Sequence, residues 1–214
     1  MTKILVVDDH AVVRHGVKQI LSEQFHDAVI GEAQNAEELF AQVHKDRWDI
    51  IVLDVGMPGK GGLDALKDLK LLHPKLPVLV LSAYPEDQLA LRMLKAGAAG
   101  YLSKDSAPNE LVQAIRKILS GGKFVSAAVA ELLASNLETE LEKPLHEQLS
   151  DREYQVLCLI AVGKSLKEIA DDLSVSVSTV NTYRARILEK MQLKNNTELT
   201  HYAIENRLVN RLVT

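Results

Sequence analysis

Short runs of almost unbroken β-branched and leucine side chains constrain this chain more than any other feature. Ile4-Leu5-Val6-Val7, Ile50-Ile51-Val52-Leu53 and Val78-Leu79-Val80-Leu81 are apolar at every position, and Ala28-Val29-Ile30 and the weaker Gly100-Tyr101-Leu102 complete a set of five. A strand with one wet face alternates apolar and polar residues, whereas a strand that is apolar throughout has both faces covered. Between these runs, apolar residues recur at helical spacing: Val13, Val17, Ile20 and Leu21; Leu63, Leu66 and Lys67 to Leu71; Leu91 and Leu94; and Leu111, Ile115, Ile118 and Leu119. Alternating strands and helices with doubly covered strands predict an α/β domain, a doubly wound five-stranded parallel sheet. Its ligand site is expected at the carboxyl ends of the strands.

The pattern changes after Gly121-Gly122. Ser126 to Leu137 reads as one Ala/Leu-rich helix, and Glu138 to Gln148 is acidic, with Pro144 as a stop. Strand runs then vanish, and four short helical stretches follow at 150–162, 165–173, 177–191 and 196–207. We therefore expect a first domain over 1–121, a linker with a helix over 122–147, and a small all-α domain over 148–214. The net charge of −4 excludes a chain that is basic throughout, so any nucleic-acid surface must be local. The single cysteine, Cys158, excludes an internal disulfide and a cysteine-cage zinc site, and its helical setting between Leu157 and Leu159 reads as core. A reducing, cytoplasmic setting follows, with no export signal or membrane-spanning segment expected. Trp48, just before the third run, reads as a packing residue.

Three acids fall at strand ends: Asp8 and Asp9 after the first run and Asp54 after the third. In a parallel sheet these ends share one edge, so the carboxylates converge. Their mutual repulsion calls for a cation, and a small oxygen-lined site suits Mg²⁺. Ser82 ends the fourth run and Lys104 follows the fifth, adding a hydroxyl and a permanent cation on that edge. A many-oxygen anion held between metal, lysine and hydroxyl, and attacked by one carboxylate, defines a minimal phosphoryl-transfer site that forms an acyl phosphate.

The blocks ILVVDDH (4–10), VLDVGMPGKGG (52–62), VLSA (80–83) and GAAGYLSK (97–104) resemble the receiver domain of bacterial response regulators, a flavodoxin-like fold. That resemblance implies Asp54 as phosphate acceptor and Asp8 and Asp9 as the Mg²⁺ pair, with Asp54 and the backbone carbonyl of Gly56 as further ligands. It implies that Ser82 bonds the phosphoryl oxygens, that Lys104 neutralises them, and that the rotamer of Tyr101 follows Ser82 in a switch. Asp105 departs from the pattern, standing where many receivers have a proline that follows a cis bond.

In the second domain, Ser150-Asp151-Arg152-Glu153 is a capping box, with Leu149 and Tyr154 as its hydrophobic staple. Gly163 ends that helix, and Ser176 caps a third helix at helix-turn-helix spacing. With Val180, Ile187 and Met191 inward, Ser178, Asn181, Thr182, Ala185 and Glu189 form a small, polar outer face suited to the major groove. Thr179 and Arg186 flank this face, Arg184 sits at the edge of the apolar stripe, and Lys164 and Lys167 lie at the start of the second helix, where they suit phosphates. From Thr179 to the end, six Lys plus Arg stand against three Glu.

Residues 149–208, above all LSDREYQVLCLIAVGKSLKEIADDLSVSVSTVNTYRARILEKM, resemble the LuxR-type DNA-binding domain, and the two halves together resemble a NarL/FixJ-type response regulator. The motif TV-x-x-[HY]-R stands as Thr179, Val180, Tyr183 and Arg184. Asn181 replaces a frequent lysine and Leu166 a frequent asparagine. The resemblance implies a sensor histidine kinase as donor, paired half-sites in double-stranded DNA, and a homodimer on activation that uses Leu199, Tyr202 and Ala203, although the spacing of these three also fits core packing. The only catalysis implied is the receiver's own phosphoryl transfer and dephosphorylation. The alternatives are a phosphorylation-independent DNA-binding regulator with the receiver as dimerisation module, and an aspartyl-phosphate hydrolase. Against the latter, Gly56 stands where a second acid is needed and no segment builds a substrate cap.

Overall fold

The computed structural model describes residues 1–57, 61–83, 86–137, 144–206 and 208–209. The chain forms two compact units, Met1–Leu133 and Ala134–Thr214.

The first unit has strands β1 (Lys3–Val7), β2 (Val29–Ala33), β3 (Ile50–Asp54), β4 (Val78–Ser82) and β5 (Gly100–Ser103), paired in parallel in the order β2-β1-β3-β4-β5. The helices are α1 (Ala11–Gln24), α2 (Ala36–Lys45), α3 (Gly62–Leu72), α4 (Glu86–Lys95) and α5 (Ala107–Leu119). β3 and β4 are buried at every residue, as their continuous apolarity requires. Ile4, Val6, Val52, Leu79, Leu81 and Leu102 pack with Val17 and Leu21 of α1 and Leu111, Ile115 and Ile118 of α5. Leu5, Val7, Ile51, Leu53 and Val80 alternate to the opposite face and are equally buried.

α2 is the helix that hydrophobic spacing did not reveal. Its stripe is only Ala36, Leu39 and Val43, but its start is well marked. Asn35 Oδ1 accepts from Glu38 N, and Glu38 Oε2 accepts from Gln34 N. Among the described side chains of α4, Leu89, Ala90 and Met93 are buried, whereas the expected Leu91 and Leu94 are only partly covered. Leu71, read as part of the α3 stripe, is exposed. Trp48 lies against Gly31, where its ring fills the space a β-carbon would need, and its Nε1 donates to Gln42 O at 3.1 Å. No peptide bond among the described residues is cis.

α6 (Ala127–Leu137) spans the division between the units. The second unit then has a 3-10 turn at Leu145–Gln148, followed by α7 (Asp151–Ala161), α8 (Leu166–Asp172), α9 (Val177–Lys190) and α10 (Asn196–Glu205). The Ser150/Glu153 box closes in both directions, and Leu149 and Tyr154 are both buried. A second box, Ser165 with Glu168, starts α8. Gly163 follows α7 at φ 88°, a left-handed conformation natural to glycine. Cys158 is buried, with its thiol directed at Leu208 O.

Candidate functional site

Strands β1, β3, β4 and β5 end at one edge and bring the expected groups together. The order β2-β1-β3 means that connections leave β1 and β3 toward opposite faces, opening a crevice between their ends, and Asp8, Asp9 and Asp54 stand there. Ligand atoms of Asp8, Asp9, His10 and Asp54 lie within 4.8 Å of one another. Asp8 and Asp54 are each only 2% exposed. Lys104 Nζ reaches both, at 2.7 Å from Asp8 Oδ2 and 3.0 Å from Asp54 Oδ2.

Each acid is held by backbone as well as by charge. Asp8 Oδ1 accepts from His10 N at 2.8 Å, and Asp54 Oδ1 accepts from Gly56 N at 3.0 Å. Lys104 N donates to Ser82 O at 2.7 Å, tying the β5 end to the β4 end, and Ser82 is fully buried. Tyr101 is buried in β5. Gly62 packs directly against the end of β3, where a β-carbon would collide with the Asp54 carbonyl and Val55 Cα.

Burial pushes the Asp54 carboxyl above the ordinary aspartate range, Lys104 pulls it back, and the Asp8 charge pushes it up again. For Lys104, burial disfavours the ammonium, but the charges and hydrogen bonds of Asp54 and Asp8 outweigh it and hold the group above the usual lysine value. Asp8 Oδ2 and Asp54 Oδ2 are buried against the Lys104 ammonium, and the buried Asp9 Oδ1 lies 2.9 Å from His10 Nδ1. Carboxylate oxygens converging from three residues fit a hard divalent cation.

Two residues of this site escaped the sequence reading. His10 Nδ1 lies 2.9 Å from Asp9 Oδ1 and 3.3 Å from Asp8 Oδ1. Arg14 Nη1 donates to the Asp8 carbonyl at 2.7 Å. The available signal was an arginine at the spacing of the buried residues Val17 and Leu21 on α1.

On α9, Val180, Ile187 and Met191 are buried, and Ser178, Asn181, Thr182, Ala185, Arg186 and Glu189 are exposed. Thr179 is half-buried and its N–H donates to the Ser176 cap. Thr182 Oγ1 donates to Ser178 O. Lys167 is exposed, while Lys164 pairs with Asp172. Arg184 is half-buried, and its Nε donates to Asn196 Oδ1 at the start of α10. Glu153, buried on α7, accepts from Lys190 Nζ at 2.6 Å, fixing the C-terminal end of α9.

Of the α10 residues expected at a dimer contact, Leu199 and Ala203 are fully buried where α10 packs on α7. Tyr202 is half-buried, and its hydroxyl accepts from His146 N at 3.3 Å.

A receiver fold with an acid and lysine site, followed by a helix-turn-helix unit, defines a signal-responsive DNA-binding regulator. Residues 4–116 match the response regulator receiver domain, and residues 147–203 match the luxR family of bacterial regulatory proteins. The chain belongs to the two-component response regulators, with a receiver and a LuxR-type DNA-binding domain that regulate transcription through phosphorylation. It is 36% identical over 211 residues to the response regulator UvrY of Escherichia coli K12, covering 98% of this chain and 97% of that one. To the response regulator GacA of Pseudomonas protegens it is 37% identical over 210 residues, covering 98% of each. Among solved structures, a Salmonella typhimurium RcsB response regulator superposes with a TM-score of 0.61 at 26% identity, covering 95% of this chain and all of that one. A structure of two RcsB dimers bound to two parallel DNAs gives 0.58 at 27% identity, covering 95% and 98%. No helix among the described residues is long and apolar enough to cross a membrane.

Proposed function

We propose that Asp54 is the phosphate acceptor, that Asp8, Asp9, Asp54 and the Gly56 carbonyl hold Mg²⁺, and that a sensor histidine kinase supplies the phosphoryl group in the cytoplasm. The observation that carries this reading is Lys104 Nζ lying between the Asp8 and Asp54 carboxylates at the carboxyl edge of the sheet. An Asp54 oxygen attacks the phosphorus of a phosphohistidine, the P–O bond forms as the P–N bond breaks, and imidazole leaves. Bound Mg²⁺ supplies charge neutralisation at the transferred oxygens. Lys104 exchanges its carboxylate partner for a phosphoryl oxygen, and the Ser82 hydroxyl donates to another.

The receiver thereby catalyses its own phosphorylation and dephosphorylation, and Ser82 and Tyr101 relay the new charge as a switch. In our reading the receiver spans 1–121, the linker 122–147 and the DNA-binding domain 148–214. Activated chains pair, and each places α9 in a major groove at one of two half-sites. Asn181, Thr182, Ser178 and Ala185 face bases, while Lys167 and Arg186 face phosphates, with Lys164, Thr179 and Arg184 alongside. Labelling with a small phosphoryl donor and Mg²⁺ tests the acceptor. Asp54→Ala should lose the label, and undiminished labelling would place the acceptor elsewhere.

A further inference from the structure

Arg14 shares the buried face of α1 with Val17 and Leu21. A cation on an apolar stripe needs partners. Its Nη1 donates to the backbone carbonyl of Asp8 at 2.7 Å, while its Nε lies 3.6 Å from Glu32 Oε2, an ionic distance with no hydrogen bond. Glu32 sits on β2 beside Val6 of β1, and its other oxygen accepts from Lys18 Nζ at 2.6 Å. Its hydrogen bond to Lys18 and the nearby charges of Lys18 and Arg14 hold Glu32 below the usual carboxylate range against its burial. Asp8 is therefore gripped from three sides: its carbonyl by Arg14, and its carboxylate by His10 N and Lys104.

We propose that Arg14 is a positioning residue of the metal site, fixing the Asp8–Asp9 corner through the Asp8 carbonyl, with Glu32 as the counter-charge that keeps this buried cation from repelling the divalent ion. The proposal rests on reading Asp8 and Asp9 as Mg²⁺ ligands. A salt bridge serving the fold alone has no need of the main chain of a ligand residue, whereas a donor on that carbonyl sets where both carboxylates begin. Partners one layer behind metal ligands typically govern affinity about 10- to 100-fold. The two halves of the device should also fail differently. Loss of the Arg14 donor is a geometric defect that salt does not repair, whereas loss of Glu32 leaves two uncompensated cations, of which salt screens the partly exposed Lys18 but hardly the buried Arg14.

The test is calorimetric titration of the full chain with MgCl₂ at low and high ionic strength, comparing the parent, Arg14→Met, Arg14→Lys, Glu32→Gln and Asp9→Asn. Arg14→Met should bind Mg²⁺ about tenfold more weakly at both ionic strengths. Arg14→Lys, which keeps the charge and can still donate, should recover part of the loss. Glu32→Gln should weaken binding at both ionic strengths, with only part of the loss, the part due to the partly exposed Lys18, recovered at high salt. An Arg14→Met chain with parental Trp48 emission and parental Mg²⁺ affinity would overturn the proposal. Should Arg14→Met fail to fold, parental affinity in both Arg14→Lys and Glu32→Gln would overturn it equally. Identical titrations of the parent and Asp9→Asn would instead remove the metal reading itself, and the proposal with it.

Discussion

Replacing Lys104 by Met isolates the electrostatics of the acid site. The ammonium lies 2.7 and 3.0 Å from two carboxylates that are each 2% exposed, and its own side chain is 18% exposed. Removing one partner of a buried pair costs about 3–5 kcal/mol, because the remaining charge is left without compensation. Residual water access to Lys104 places the expected loss at the lower end, about 3 kcal/mol near neutral pH. The deficit should depend on pH. In the parent, the Lys104 value is raised, so its contribution is complete below the unfolded lysine value and is lost only as pH rises through the folded one. In the variant, Asp54 loses the cation that pulled its carboxyl down, so the value already raised by burial rises further. Above the parent's folded Asp54 value the folded variant still holds a proton that the parent has released, so the deficit grows as pH climbs from the parent's folded value through the higher one of the variant. Adding Mg²⁺ should return part of the loss, because a ligand that binds only the folded state stabilises it by mass action. Trp48 is the chain's single tryptophan and packs in the first unit, so its emission in a urea titration reports that unit. A Lys104→Met chain as stable as the parent at pH 8 without Mg²⁺ would refute the reasoning.

The recognition helix should separate base reading from phosphate attraction. Asn181→Ala should lose roughly 1–3 kcal/mol on a selected duplex with the salt slope nearly unchanged, whereas Arg186→Ala should weaken all duplexes alike and lower the slope by about one; titrations on selected and random DNA at several salt concentrations check both. Burial raises the Glu153 carboxyl, but Lys190 and Ser150 hold its value below the ordinary range. Its contribution is therefore present above the unfolded glutamate value and lost as pH falls through the folded one, and Glu153→Gln should remove that acid-side dependence from amide exchange in α9. Leu199→Ala should cost about 2–5 kcal/mol of helical-unit stability, read by thermal unfolding, because it opens a cavity in the core. A well-folded Leu199→Ala chain that loses only self-association would assign Leu199 to a dimer contact instead.

Particular elements show how far the sequence could be read. Continuous apolar runs such as Ile50 to Leu53 predict doubly covered parallel strands, and strand ends predict where Asp8, Asp9, Asp54, Ser82 and Lys104 meet. Both follow because a strand's alternation and a parallel sheet's polarity leave few choices. Helix α2 escaped because three small or medium apolar residues make a weak stripe, and its Asn35 and Glu38 cap is a local signal that periodicity ignores. Leu199 and Ala203 show the opposite limit, since apolar residues at helical spacing face either a core or a partner and spacing carries no information about which.

Sequence by itself determined the fold class, the edge of the sheet where chemistry is possible, the Ser150 and Ser176 caps of the helical unit and the outward face of α9. All of these depend on local spacing or on the fixed direction of parallel strands. Only the tertiary structure decided that Lys104 bridges Asp8 and Asp54, that Arg14 reaches back to the Asp8 carbonyl, that Arg184 and Lys190 tie α9 to its neighbours, and that Leu199 and Ala203 lie inside. The physical reason is reach. A long charged side chain can choose among several partners on neighbouring elements, and the choice is made by which of them burial leaves without water.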